Sequence, residues 1–281
     1  MTDKTSKLSP IRAAVIGHPV GHSLSPLIHR HWITTYGLSG SYDAIDVAPA
    51  ELATGIASFV AEGYAGFNVT VPHKQAVMAL CDTCDPAARA IGAVNTVVIS
   101  GGKPHGRNTD AAGFIMNLKE SLPGFSFTDA RALVLGAGGA ARAVVYGLQQ
   151  EGVSAIRVTN RTAERAQALG DDFGLEVVSW DEKEAALSDV TLLVNTTALG
   201  MTGQPSLTLD LSALAPGAAV YDIVYKPLMT PLLCAAKDRG NPIVTGIGML
   251  LHQAGPAFEA WFGIAPAVTP ALRRTVEEAA R

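Results

Sequence analysis

The chain has 281 residues, of which 48% are apolar and 16% charged, with a formal net charge of −4. That length implies two domains, and the apolar fraction excludes a disordered chain. With no general basic excess, neither nucleic acid nor an anionic membrane is an expected partner.

Residues 13–16 (Ala-Ala-Val-Ile) read as a strand. Ser25-Pro26 then opens a helix, with the serine as cap and the proline at the first helical position, and the helix stops at Gly37. Residues 42–47 read as a second strand. Pro49 starts a helix whose Leu52, Ile56, Phe59 and Val60 recur at helical spacing. Residues 65–69 give a third strand, followed by a helix from Pro72 to about Leu80. Residues 93–100 read as a strand running into a Gly101-Gly102 turn. A helix from about Asp110 to Leu122 links this half to a second. There the expected strands are 131–135, 155–159, 176–178, 192–194 and 219–224, and the first leads through a glycine-rich turn into a helix ending near Gln150. Thr230-Pro231 and Thr269-Pro270 open two more helices. Such alternation predicts an α/β protein with parallel sheets and right-handed crossovers.

The first residues, Met1-Thr2-Asp3-Lys4, are polar and no apolar run follows, so no signal peptide is expected. The most apolar stretch, residues 130–148, contains Arg131, Arg142 and several glycines, which argues against a membrane span. Three cysteines cannot build a disulfide framework, and reduced thiols suit a cytoplasmic location. Cys81-x-x-Cys84 has no second cysteine pair, and His29-x-His31 has a spacing that turns the rings apart on a helix. No metal is expected.

The strand Leu133-Val134-Leu135 precedes Gly136-Ala137-Gly138-Gly139-Ala140-Ala141. This is G-x-G-x-x-A between a strand and a helix, the setting in which glycines let the backbone approach a pyrophosphate at a helix N-terminus. An NAD site usually ends its second strand with an acidic residue. Here that strand ends at Asn160-Arg161-Thr162, with Arg165 following. Thr162 is the expected cap of the next helix. Two arginines at a helix start oppose its dipole unless an anion docks there, and the 2′-phosphate of NADP fits a guanidinium pair.

Four polar motifs fall at strand ends or turns of the first half. They are His22-Ser23-Leu24-Ser25-Pro26, Asn68-Val69-Thr70-Val71-Pro72-His73-Lys74, Gly92-Ala93-Val94-Asn95-Thr96 and Asn108-Thr109-Asp110. Strand ends of an open α/β sheet are where ligands bind. Lys74, early in a predicted helix, sits where a cation is disfavoured, which itself suggests a role. Together these motifs resemble the shikimate dehydrogenase family. The likeness continues through Asn195-Thr196-Thr197-Ala198-Leu199-Gly200-Met201, Asp222-Ile223-Val224-Tyr225-Lys226-Pro227, Thr230-Pro231-Leu232 and Gly246-Ile247-Gly248-Met249-Leu250-Leu251-His252-Gln253-Ala254. One departure is Ala198, where many relatives have Ser or Pro.

The resemblance implies two α/β domains: a substrate domain of residues 1–111 plus 246–281, with a mixed, mainly parallel sheet, and an inserted Rossmann-like NADP domain of residues 112–245. It implies reversible reduction of 3-dehydroshikimate to shikimate by NADPH, a step of aromatic amino-acid and chorismate biosynthesis. On this reading Lys74 and Asp110 are the catalytic pair, an ammonium that stabilises charge on the C3 oxygen beside a carboxylate that orients it. Ser23, Ser25 and Tyr225 would hold the substrate carboxylate, while Thr70, Asn95 and Gln253 bond the ring hydroxyls. Asn68 would shape its strand end. Gly136, Ala137, Gly138, Gly139, Ala140, Asn160, Arg161, Thr162, Arg165 and Thr196 would bind the cofactor, with Gly246 and Met249 bordering the nicotinamide. The expected assembly is a monomer or a homodimer.

The nearest alternative is a quinate/shikimate dehydrogenase using NAD, which Ser25 and Arg161 disfavour. A non-catalytic sensor of shikimate-like ligands is disfavoured by retention of Lys74 and Asp110. A short-chain dehydrogenase requires a tyrosine with a lysine four positions on, and none of the six tyrosines has one.

Overall fold

The computed structural model describes residues 9–281, so the polar stretch 1–4 lies outside the described residues. The first half contains β1 (Ile11–Gly17), α1 (Ser25–Thr35), β2 (Gly40–Asp46), α2 (Leu52–Ala61), β3 (Gly66–Val69), β4 (Thr83–Cys84), α3 (Pro86–Ile91), β5 (Thr96–Ser100) and β6 (Lys103–Arg107). Its strands form one sheet in the order β2-β1-β3-β5-β6-β4. β1 pairs in parallel with β2 and β3, β4 pairs in parallel with β6, and β5 runs antiparallel to β3 and β6. β1 lies in the middle because both of its faces are apolar. Ala13 and Val15 pack toward α1 and the C-terminal helices, and Ala14 and Ile16 toward α2.

The second half opens with α4 (Asp110–Ser121) and continues with β7 (Arg131–Leu135), α5 (Gly139–Gln150), β8 (Ala155–Thr159), α6 (Ala163–Phe173), β9 (Glu176–Val177), β10 (Leu192–Asn195), β11 (Ala219–Asp222), α7 (Pro231–Asp238) and β12 (Ile243–Val244). Its sheet has the order β12-β11-β10-β7-β8-β9, and every pairing is parallel. Strands such as Leu192–Asn195, buried throughout, are what a sheet covered by helices on both faces demands. The chain then returns to the first sheet through α8 (Ile247–Phe262) and α9 (Pro270–Ala279). Ile247, Leu251, Ala254 and Phe258 of α8 join the cluster around Ala13 and Val15.

α4 and α8 cross where the chain leaves the first half and where it comes back. A Cβ on Gly248 would lie 1.7 Å from Asn117 Oδ1, so only glycine allows the approach. Asn117 Nδ2 donates to the Tyr221 hydroxyl at 2.6 Å and to the Thr245 carbonyl at 2.8 Å, joining this crossing to β11.

Three local expectations change. The segment from Pro72 is not an α-helix: only a 3-10 turn, Ala76–Leu80, forms. The Lys74 carbonyl accepts from Val94 N at 2.7 Å, so a long-range bond takes the acceptor an α-helix would need. Lys74 therefore precedes any helix, and the dipole argument for its role lapses. Ser25 is the first residue of α1 rather than its cap, and its amide donates to Ser23 Oγ at 3.3 Å. Thr162 stands at the N-cap of α6 but its side chain makes no capping bond, whereas Thr230 and Thr269 do cap α7 and α9.

Candidate active site

Lys74 Nζ donates to Asp110 Oδ2 at 2.5 Å, although 36 positions separate the two. The side chains are 17% and 6% exposed, so the pair is largely withdrawn from water. Lys74 is fixed through its carbonyl, and Asp110 through its position at the start of α4, where its amide donates to Asn108 Oδ1 at 3.0 Å. Asn95 supplies the rest. Its Nδ2 lies 2.8 Å from Asp110 Oδ1, 2.9 Å from Thr109 Oγ1 and 3.3 Å from Gln253 Oε1, and its Oδ1 accepts from Thr109 N at 2.9 Å. The amide expected to meet a substrate hydroxyl is thus engaged with the protein, with one donor held on the free oxygen of the Asp110 carboxylate. Gln253 closes this corner, donating to the Leu250 carbonyl at 3.0 Å.

Ser23, Ser25 and Tyr225 also come together. Burial raises the Tyr225 phenol above its ordinary pKa, opposed by hydrogen bonds with the Leu24 backbone and the Ser23 side chain. Ser25 is buried beside Tyr42, whose phenol burial likewise raises against a hydrogen bond with Ser25. The Tyr42 hydroxyl donates to Asn68 Oδ1 at 2.6 Å, and Asn68 Nδ2 donates to Thr96 Oγ1 at 3.0 Å. Asn68 is thus occupied within the protein. Thr70 is half-buried just beyond β3, its amide donating to the Ile16 carbonyl at 2.9 Å.

On the second sheet, the turn from β7 to α5 carries Gly136 at φ 112°, where a Cβ would meet Thr196 Oγ1 at 2.5 Å. Thr196 is itself tied back, donating to the Leu135 carbonyl at 2.7 Å. The turn therefore presents backbone with no side chain larger than a methyl from Gly136 to Gly138, running into the unpaired amides of the first turn of α5, which begins at Gly139. This cradle fits a dinucleotide pyrophosphate. At the end of β8, Asn160 Nδ2 donates to the Thr162 carbonyl at 2.9 Å. Arg161 and Arg165 are both exposed beside the start of α6, and neither pairs with a carboxylate among the described residues. Two free guanidinium groups at this point suit a phosphate on the cofactor ribose. Gly246 and Met249, at the head of α8, are both buried, and a Cβ on Gly246 would lie 2.3 Å from the Ile223 carbonyl.

The two halves meet at this point. A Cβ placed on Gly139 would lie 3.1 Å from Lys74 Cβ, so the dinucleotide turn is against the lysine–carboxylate pair. Among the described residues no group of three or more His, Cys, Asp or Glu side chains is placed to hold a metal, and no helix is long and apolar enough to cross a membrane.

One residue without a sequence-assigned role stands out. Asp222, fully buried at the end of β11, accepts from Thr230 Oγ1 at 2.7 Å, Val224 N at 3.0 Å and Asn195 Nδ2 at 3.0 Å. Burial pushes its pKa up to about 6, against those three bonds. The carboxylate knots the loop after β10, which carries Thr196, to the loop after β11, which carries Tyr225. A charged residue ending an apolar strand, eight positions before a Thr-Pro helix start, is the signal that could have identified it.

A parallel sheet with a glycine turn, set against a lysine–carboxylate pair largely withdrawn from water, defines a dinucleotide-dependent oxidoreductase. Residues 15–97 match the family model described as the shikimate dehydrogenase substrate binding domain, and residues 118–202 match that of shikimate / quinate 5-dehydrogenase. The shikimate dehydrogenase (NADP(+)) of Methylobacterium radiotolerans is 54% identical over 269 residues, covering 93% of this chain and 95% of that protein. The crystal structure of shikimate 5-dehydrogenase from Thermus thermophilus in complex with NADP(H) and shikimate superposes with a TM-score of 0.84 at 40% identity, covering 96% of this chain and 98% of that one. A quinate dehydrogenase from Corynebacterium glutamicum in complex with NAD gives a TM-score of 0.86 at 33% identity, covering 95% and 99%. The chain belongs to the shikimate dehydrogenase family.

Proposed function

We propose that this enzyme reversibly reduces 3-dehydroshikimate to shikimate with NADPH, and that Lys74 and Asp110 carry the proton chemistry. The observation that supports this most is the 2.5 Å Lys74–Asp110 contact, sheltered from water and set against the dinucleotide turn. When bound, the nicotinamide supplies the hydride that the carbonyl carbon receives. The ammonium of Lys74 then faces the developing charge on the substrate oxygen and stabilises it. Asp110 keeps the lysine aimed, Asn95 keeps Asp110 aimed, and the pair moves the proton as a unit. Ser23, Ser25 and Tyr225 offer hydroxyls to the substrate carboxylate, and Thr70 and Gln253 serve the ring hydroxyls. The glycine turn takes the pyrophosphate, Arg161 and Arg165 take the 2′-phosphate, and Gly246 and Met249 border the nicotinamide.

The substrate domain on this reading is residues 1–111 with 246–281, and the NADP domain is 112–245. Its support is that α8 packs on the first sheet while the all-parallel sheet lies wholly between. The three unpaired cysteines accord with a reducing, cytoplasmic setting. The test is a steady-state comparison of shikimate and quinate, each with NADP⁺ and NAD⁺. Turnover dominated by shikimate with NADP⁺ is expected. Preference for quinate with NAD⁺, or ligand binding with no turnover, overturns the proposal.

A further inference from the structure

Arg142 lies one turn into α5, the helix that begins at the glycine turn, yet its side chain reaches into the other half of the molecule. Its Nε donates to the carbonyl of Ile91, the last residue of α3. Its Nη1 pairs with Asp172 of α6 at 2.8 Å, and the guanidinium carbon stands 5.1 Å from the centre of the Phe173 ring. The arginine side chain is only 12% exposed, against 54% for Asp172, so this is a seated group rather than a surface pair. Gly92, the left-handed cap of α3 at φ 71°, makes the seat: a Cβ there would lie 2.8 Å from Arg142 Nη2. A guanidinium at the carbonyl end of a helix also complements the helix dipole. Below it, Ile91, Ala93, Ala111 and Ala143 close a small apolar contact between the halves.

Both ends of this bridge lead to reacting groups. Gly92 runs directly into Val94, whose amide holds the Lys74 carbonyl at 2.7 Å, and Asn95, whose side chain lies 2.8 Å from Asp110 Oδ1. On the other side, Arg142 N donates to the Gly138 carbonyl at 3.1 Å, closing the first turn of α5 behind the glycine turn. Asp172 stands near the end of α6, the helix that starts beside Arg161 and Arg165.

We propose that Arg142 is a positioning residue that clamps the end of α3 to α5 and α6, and so sets the distance between the dinucleotide turn and the Lys74–Asp110 pair. The proposal rests on the reading of those two places as the cofactor and catalytic sites. Hydride transfer is sensitive to changes of about 1 Å in the placement of donor and acceptor, whereas the cofactor's phosphates are held on the second half alone, by the glycine turn and by Arg161 and Arg165. The clamp therefore acts on turnover and not on NADPH affinity.

The experiment compares wild type with Arg142→Ala and Arg142→Lys. Alanine removes the contacts to Ile91, Asp172 and Phe173, and lysine keeps a cation but lacks the rigid planar fork that spans Ile91 and Asp172. The readouts are kcat, the dissociation constant of NADPH alone by fluorescence, and the primary deuterium isotope effect with 4-deuterated NADPH. For Arg142→Ala, kcat should fall about 10- to 100-fold, with an increased isotope effect because hydride transfer becomes limiting. NADPH affinity should stay within about twofold of wild type, a change of under half a kcal/mol. Arg142→Lys should recover part of the loss. A kcat near that of wild type in Arg142→Ala overturns the proposal, and so does a loss of NADPH affinity as large as the loss of kcat. If Arg142→Ala fails to fold, Arg142→Lys decides, and wild-type kcat and isotope effect there overturn it. If the wild-type enzyme itself turns over neither shikimate nor quinate, the functional reading fails separately. Small-angle scattering then decides the clamp, with expansion of the Arg142 variant supporting it and an unchanged radius of gyration overturning it.

Discussion

Replacing His29 with phenylalanine removes a titratable ring from an aromatic box that underlies the first sheet. The imidazole is wholly buried, stacked on Tyr42 at 4.0 Å and edge-on to Trp32 at 5.6 Å, with Trp261 at 5.7 Å and Phe258 at 5.8 Å. Neither ring nitrogen has a hydrogen-bond partner among the described residues. Burial pulls its pKa from 6.5 to about 3. The unfolded chain therefore takes up a proton that the folded chain refuses. Stability from this group is complete above about pH 7 and is lost as pH falls through the window between the two values. Linkage across that window puts the loss, relative to pH 8, at about 2 kcal/mol by pH 5 and about 3 kcal/mol by pH 4. Phenylalanine fills the box and takes up no proton. The gap in unfolding free energy between variant and wild type should thus widen in the variant's favour by about 2 kcal/mol from pH 8 to pH 5. Asp222 titrates with the opposite sign. Its pKa is raised to about 6, so its penalty is present at neutral pH and relieved on acidification. It is common to both proteins and cancels in the difference. Urea unfolding at several pH values, with the slope of each transition checked for constancy, measures the gap. A gap independent of pH would refute the reasoning, because it would mean the imidazole is protonated as readily in the fold as outside it.

Lys74→Ala should lower kcat about 100-fold or more with little change in KM, as loss of a positioned acid–base group does; unchanged turnover in steady-state assays removes the lysine from the chemistry. Replacing Arg161 and Arg165 together by alanine should raise the KM for NADPH far more than for NADH, since only the former carries the phosphate assigned to those guanidinium groups; equal effects on both cofactors would contradict the phosphate assignment. Gly136→Ala should weaken NADPH binding at least about tenfold, because the new Cβ would lie 2.5 Å from Thr196 Oγ1 at a backbone angle that side chains rarely adopt; a dissociation constant equal to that of wild type would mean the turn does not carry the cofactor.

Local chemistry made much of this molecule legible before its coordinates. The strands Arg131–Leu135 and Ala155–Thr159 coincide with the expected ranges, because each is a short apolar run with β-branched residues, ended by polar or turn residues. The glycine turn between β7 and α5, and the Thr-Pro starts of α7 and α9, are likewise written in adjacent residues. The short elements were not. β4 has two residues, and β6 includes Pro104 and Gly106, so β6 is a strand because β5 pairs along its whole length and β4 along its middle. α3 spans six residues between Asp85 and Gly92, with both capping signals present but too little periodic sequence to separate it from a turn.

Sequence alone determined which residue types stand at the strand ends, and hence the class of chemistry available there. Tertiary structure decided how they are aimed. Val94 takes the Lys74 carbonyl and turns a predicted helix into a loop; Asn95 spends its amide on Asp110 rather than leaving it open; Arg142 crosses from α5 to α3. Each of these is a hydrogen bond between residues at least 15 positions apart. Propensity and periodicity are sums over neighbouring residues, and they carry no term for a partner supplied by a distant strand or helix.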